Sequence, residues 1–171
     1  GYVARETYEN ESNYKLYLVP INENNSSNNN DNANNNNNTN TGSDTAKVKI
    51  DKANNMITVV PSAIANDILE AFGGSIKITK ADGSYLNGGS DLMGTGFIVD
   101  DKYTVVKKGD CNGDGVTNSL DAAVILRYTV GQYGLKDSYF KAGSISNNGN
   151  VTSLDAAKIL RYAVGQYNLD I

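Results

Sequence analysis

Asp110-Cys111-Asn112-Gly113-Asp114-Gly115-Val116-Thr117-Asn118-Ser119-Leu120-Asp121 is the stretch from which the rest of the chain is read. Oxygen-bearing side chains stand at positions 1, 3, 5, 9 and 12 of these twelve residues, with glycine at position 6. A hard cation such as Ca²⁺ takes six to eight oxygen ligands and tolerates irregular geometry. Asp110, Asn112, Asp114 and Asp121 can supply side-chain oxygens, Val116 its backbone carbonyl, and Asn118 a direct or water-mediated ligand. Gly115 permits the left-handed turn that folds those ligands back on an ion. Asx-rich turn chemistry without metal is the alternative for D-x-N-G-D-G. The adjoining helix pattern, together with the full set of ligand positions, favours the calcium loop. Cys111 falls at position 2, where side chains point away from an ion, and reads as a small, partly buried non-ligand.

The loop is of the EF-hand type but ends in Asp121 where the general pattern has Glu, so the helix after it must sit closer for bidentate binding. That helix belongs to a repeat. Ser119 to Leu135 recurs as Ser153 to Leu169 with a period of 34, differing only at Val124/Lys158, Thr129/Ala163 and Gly134/Asn168. Tetratricopeptide repeats share that period, but they need a helix pair per repeat and have no acidic glycine loop. Two loop–helix units with Asp at position 12 and an S-L-D-A-A-x-I-L-R-Y core resemble a cellulosome-type dockerin. The resemblance covers residues 108–171. It implies a calcium-dependent module that docks enzymes onto cohesin-bearing scaffoldins. In that family the partner is met by loop positions 10 and 11 and by the exit helix. Here these are Ser119, Leu120, Leu126 and Arg127 in repeat one, and Ser153, Leu154, Leu160 and Arg161 in repeat two. Leucine would anchor, serine hydrogen-bond, and arginine fork onto carboxylates and carbonyls. Leu126 and Leu160 are equally open to a reading as core residues.

The second loop departs from the pattern. With Gly149 at position 6, Ser144, Ser146, Asn148, Asn150 (backbone), Thr152 and Asp155 take positions 1, 3, 5, 7, 9 and 12. Only Asp155 is acidic. Affinity follows ligand charge, so calcium at 144–155 is expected to be weak or absent, the loop being held instead by serine and asparagine turn hydrogen bonds.

Composition narrows the function classes. The 171 residues carry a net charge of −4 with a pI near 4.8, and no basic patch suggests nucleic acid. No stretch approaches the roughly 20 apolar residues that span a bilayer. Histidine is absent and cysteine occurs once, which removes the commonest general base and any intramolecular disulfide. Gly1 opens no signal peptide and no initiating methionine, so a C-terminal piece of a longer secreted, extracellular or cell-surface protein is expected.

The fold class expected is α+β: a small β-rich module with one helix, then an all-α duplicated loop–helix module. Residues 1–21 read as the remnant of a preceding module. Gly1-Tyr2-Val3-Ala4-Arg5 resembles the last strand of a bacterial SH3-like barrel, and the segment is expected to be poorly ordered or helical in part. Residues 22–44 are asparagine-rich and read as a flexible linker.

Residues 45–107 read as the α+β module, resembling the small modules that precede dockerins in some bacterial surface proteins. Strands are expected at 47–50 and 56–60, and a helix from Pro61-Ser62, with Ser62 as N-cap, to Gly73-Gly74. A strand is expected at 75–79, and a hairpin of 95–99 with 102–106 across Asp100-Asp101. Its scattered carboxylates form no catalytic pair, and no enzyme activity is expected. Lacking a linker to Asp110, it should pack on the calcium module. Residues 108–171 have no core apart from their loops, which predicts that metal removal unfolds them and spares 46–106. Exit helices near 119–130 and 153–164 and a short helix at 135–142 complete the reading, with a monomer expected when free. The rival function is a calcium-stabilised structural terminus without a cohesin partner.

Overall fold

A computed structural model describes residues 2–8, 14–20, 44–86 and 88–171. Most of the expected linker at 22–44 lies outside the described residues, as does Gly1. Near the N-terminus, β1 (Tyr2–Tyr8) pairs antiparallel with β2 (Tyr14–Pro20), Tyr2 opposite Pro20 and Tyr8 opposite Tyr14. Strand replaces the expected partial helix there.

The middle of the chain forms a five-stranded mixed sheet in the order β3-β4-β7-β6-β5 among the described residues. Strands β3 (Val48–Asp51) and β4 (Met56–Val59) form a hairpin around residues 52–55, with Asn55 left-handed at φ 51°. In β4, Ile57 and Val59 are buried while Met56 and Thr58 are partly exposed, the period-two pattern of a half-covered strand. Strand β4 then pairs in parallel with β7 (Tyr103–Lys107), Met56 opposite Thr104 and Val59 opposite Lys107. Parallel pairing requires a long crossover, and residues 60–102 supply it.

The helix of that crossover, α1, spans Ala65–Phe72 and starts later than expected. Ser62 is exposed in a turn and does not cap it. The first helical amides are satisfied from elsewhere: Ala65 N donates to Asp91 O at 3.0 Å and Asn66 N to Gly89 O at 2.8 Å. Asp67 Oδ2 accepts from Ile64 N at 2.8 Å, closing the first turn. The helix stops at Gly73, left-handed at φ 68°.

Strands β5 (Ile78–Thr79) and β6 (Ile98–Val99) are shorter than expected. The β6–β7 hairpin turns at Asp100-Asp101, whose φ angles of 51° and 53° give the doubly left-handed turn that suits strand twist. Ile57, Val59, Ile68, Leu69, Met93, Val99 and Val105 form the core of this module.

Strand β7 leads directly into the helical module. Helices α2 (Ser119–Thr129) and α4 (Ser153–Ala163) pack on each other, and α3 (Asp137–Gly143) packs against β7. Both exit helices end alike: Gly131 N donates to Tyr128 O and Gly165 N to Tyr162 O, with φ angles of 74° and 72°. Cys111, Ala122, Ile125, Ala156, Ile159 and Leu169 are the centre of a second core. Ile125 and Ile159 are fully buried, worth about 1.5–3 kcal/mol each over exposure. The mixed α and β content agrees with the α+β expectation, and residues 108–171 are helical as expected. No helix among the described residues is long and apolar enough to cross a membrane.

Candidate metal centre and docking face

Loop 110–121 is folded by backbone amides turned toward its carboxylates. Asp110 Oδ1 accepts from Gly113 N at 2.8 Å; its Oδ2 accepts from Gly115 N at 3.2 Å and from Thr95 N at 2.8 Å. Asp121 Oδ1 accepts from Cys111 N at 2.8 Å and Asn112 N at 3.2 Å, and its Oδ2 from Asn118 N at 2.9 Å. Asp114 accepts from Val116 N and Asn112 Nδ2, both at 2.8 Å. Gly113 and Gly115, at φ 80° and 82°, make the turns that let these amides converge.

A carboxylate has about four lone-pair sites. Asp110 and Asp121 each receive three donors and Asp114 two, so all three keep acceptor capacity. Among the described residues no three Asp, Glu, Cys or His side chains close into one cluster, and the Asn112 side-chain oxygen accepts from Asp114 N at 3.0 Å. Asp110 and Asp121 are fully buried. Burial pushes the Asp121 carboxyl up to about 6, with the Asp110 charge adding to the rise and the N–H groups of Asn118, Cys111 and Asn112 opposing it. Burial also raises Asp110, helped by the Asp114 charge and opposed by the Thr95 and Gly113 amides. Buried acids with spare lone pairs suit a hard divalent cation. Asn118 caps α2, its Oδ1 accepting from Leu120 N at 2.7 Å. Cys111 is more buried than expected, lies in the second core, and has its thiol pushed well up by burial.

Three residues outside the loop brace it, and the sequence reading missed all of them. Thr95 donates its amide to Asp110 and exchanges hydrogen bonds with the Lys107 backbone through its hydroxyl. Lys107 is completely buried, and its Nζ donates to Met93 O at 2.9 Å and Gly115 O at 2.5 Å. Burial pulls this ammonium down to about 8, against the charges of Asp110, Asp114 and Asp121. Tyr139 lies so close to Gly96 and Gly113 that a Cβ at either would meet its ring or hydroxyl within 3 Å. Segment 93–96 therefore forms one wall of the loop. This joins the two modules through buried polar contacts and argues against independent loss of 108–171.

Loop 144–155 has left-handed residues at the same two positions and amides on its position-12 carboxylate, with different contents. Gly149 (φ 76°) matches Gly115, and Asn147 (φ 52°) stands left-handed where loop one has Gly113. Asp155 Oδ1 accepts from Ser146 N at 2.9 Å and Ser146 Oγ at 2.8 Å; Oδ2 accepts from Thr152 N at 2.9 Å and Thr152 Oγ1 at 2.8 Å. These four donors fill its lone pairs. Burial would raise the Asp155 pKa, but the bonds from Thr152 and Ser146 outweigh it and hold the carboxyl below its ordinary range. Lys158 Nζ donates to Ser146 Oγ at 2.8 Å, and Lys108 Nζ to Asn147 Oδ1 at 2.5 Å. Asn148 Oδ1 accepts from Asn150 N at 3.0 Å, and the Ser144 hydroxyl is buried without a protein partner.

The residues expected to meet a partner are all exposed: Ser119, Leu120, Leu126 and Arg127, and Ser153, Leu154, Leu160 and Arg161. Leu120 and Leu154 are each 61 % exposed, Leu126 44 % and Leu160 42 %. Core burial is thereby excluded for Leu126 and Leu160. Arg127 lies 5.7 Å from the Tyr133 ring and Arg161 5.7 Å from Tyr167, matched cation–π pairs that hold both arginines beside the leucines. Val130 and Val164, each 68 % exposed, extend both patches.

Two loop–helix units around one core, an acidic oxygen-rich loop, and paired exposed apolar helix faces define a duplicated calcium-type docking module. Residues 108–163 match the family model described as dockerin type I domain, and this part of the chain is a dockerin domain. Dockerin domains bind calcium and dock onto cohesins; they are not catalytic. No curated protein and no solved structure gives a match.

Proposed function

We propose that this chain is the non-catalytic anchoring end of a secreted, multimodular, hydrolytic protein, held on a scaffoldin or cell surface through a cohesin. Calcium would be held in loop one by Asp110, Asn112, Asp114, Asp121, the Val116 carbonyl and Asn118. The ion would supply the positive charge that the buried acids lack and so fix the start of α2. The module of residues 45–107 would act as a brace for that loop. Ser119, Leu120, Leu126 and Arg127, with Ser153, Leu154, Leu160 and Arg161, would form the contact faces. The observation that carries this reading is the matched exposure of four leucines and two tyrosine-backed arginines on a dockerin domain.

The test is capture of the whole chain on a panel of immobilised cohesin domains in calcium and in EDTA. Capture is expected in calcium, abolished by EDTA, and weakened at least 100-fold by Asp121→Asn. Calcium uptake without capture by any cohesin would instead favour a calcium-stabilised structural terminus.

A further inference from the structure

The two loops share a backbone but treat a cation in opposite ways. Loop one offers three carboxylates with unfilled lone pairs. Loop two offers one carboxylate, and its four lone pairs are already taken by Ser146 and Thr152. Two ammonium groups also stand on that loop, Lys158 on Ser146 and Lys108 on Asn147. A divalent ion entering there would meet one negative charge and two positive ones. The buried Ser144 hydroxyl is neutral, and a single water satisfies it more cheaply than a desolvated ion does.

Lys158 occupies a telling place in the repeat. It stands where repeat one has Val124, and it is one of only three differences across the Ser119–Leu135 and Ser153–Leu169 segments. The loop with a single acid is the one whose helix carries a lysine facing the loop. Its ammonium binds the hydroxyl at loop position 3, which in turn donates to the position-12 carboxylate.

We infer that Lys158 is a covalently tethered cation for loop two. Acting through Ser146 on Asp155, it does for the start of α4 what a metal ion does for α2, so repeat two is held without calcium. The inference rests on loop one taking calcium but not on the chain binding a cohesin.

The experiment is calorimetric calcium titration of the whole chain and of two variants. One variant restores acids to loop two (Ser144→Asp with Asn148→Asp); the other adds Lys158→Val, the residue of repeat one. One calcium per wild-type chain is expected. The acid-restored variant with Lys158 intact should bind a second ion at least ten-fold more weakly than the variant that also carries Lys158→Val. Two tight ions in the wild type, or equal second-site affinity with and without Lys158, would overturn the inference. No calcium uptake by the wild type would instead remove the reading of loop one on which it stands. Hydrogen exchange at saturating calcium gives an independent reading. Lys158→Met, which keeps the apolar stem, should lower protection of the Ser146 and Thr152 amides at least ten-fold while leaving Cys111 and Asn118 unchanged. Unchanged protection at Ser146 and Thr152 would count against the tether.

Discussion

Loops 110–121 and 144–155 reach one backbone shape by two electrostatic routes. In the first, the loop carries three acids, two of them fully buried, and one buried lysine stands against it. In the second, one acid is saturated by hydroxyls and amides, and lysines supply the positive charge. The two exit helices are nearly identical and end in the same glycine-based caps. Loop shape is thus separable from metal demand. A left-handed residue at positions 4 and 6 and a position-12 carboxylate that collects amides are enough to launch the helix. On the proposed reading, the remaining ligand charges decide whether an ion is needed.

If the faces are equivalent although the loops are not, a cohesin should dock through either helix, in two orientations about half a turn apart. Leu120→Asp with Arg127→Ala should then cost about two-fold in affinity, and Leu154→Asp with Arg161→Ala the same. The quadruple change should cost at least 1,000-fold, the non-additivity expected when two sites substitute for each other. Affinities of the three variants for one cohesin decide it. A large loss from one pair and none from the other means that the loops' difference reaches the faces.

Much of this comparison was legible in the sequence. The period of 34, the position-6 glycines, the acid asymmetry and the exit helices follow from residue identity and spacing, because these interactions are local. The β3–β4 and β6–β7 hairpins were legible for the same reason. Where contacts are distant in sequence the reading went astray. Helix α1 starts at Ala65 because carbonyls of Gly89 and Asp91 cap it, and no local pattern announces them. The parallel β4–β7 pairing likewise joins residues some fifty positions apart. Leu126 and Leu160 could not be assigned by periodicity, since an exposed docking face and a core face share the same apolar spacing. Lys158 was visible only as a difference between repeats. Its signal was an extra positive charge in the repeat whose loop has the fewer acids.

A second, smaller effect separates the loops by what braces them. Loop one leans on segment 93–96 through Thr95 and Lys107, whereas the bonds that hold Asp155 come from loop two itself. Hydrogen exchange in EDTA should therefore show the amides of 93–96 opening together with 110–121, their protection falling at least ten-fold. The strand pair β3–β4 should lose less. Alkylation of Cys111, slow in calcium because the thiol is buried, should accelerate in step with them. Opening of 110–121 with 93–96 unchanged would restore the picture of two independent modules.

The smallest effect isolates the lysine that loop one holds. The Lys107 ammonium is buried, and its pKa in the folded chain is about 8, against about 10.4 for an ordinary lysine in the unfolded chain. Below pH 8 both states carry the proton, so the cost of burying the charge is constant. Between about 8 and 10 the folded chain has released a proton that the unfolded chain keeps. The unfolded state then binds more protons, and stability must rise with pH across that window. Calcium in the loop acts in the same direction, since a nearby positive charge lowers the lysine further. Melting of the calcium-loaded chain should shift upward by a few degrees between pH 8 and 10, and Lys107→Met should flatten that slope while leaving loop two's exchange protection as it was. If the slope is the same in the variant, the ammonium is not the titrating group, and the contrast between a loop that only hosts a buried lysine and one that uses a lysine as its cation loses one of its supports.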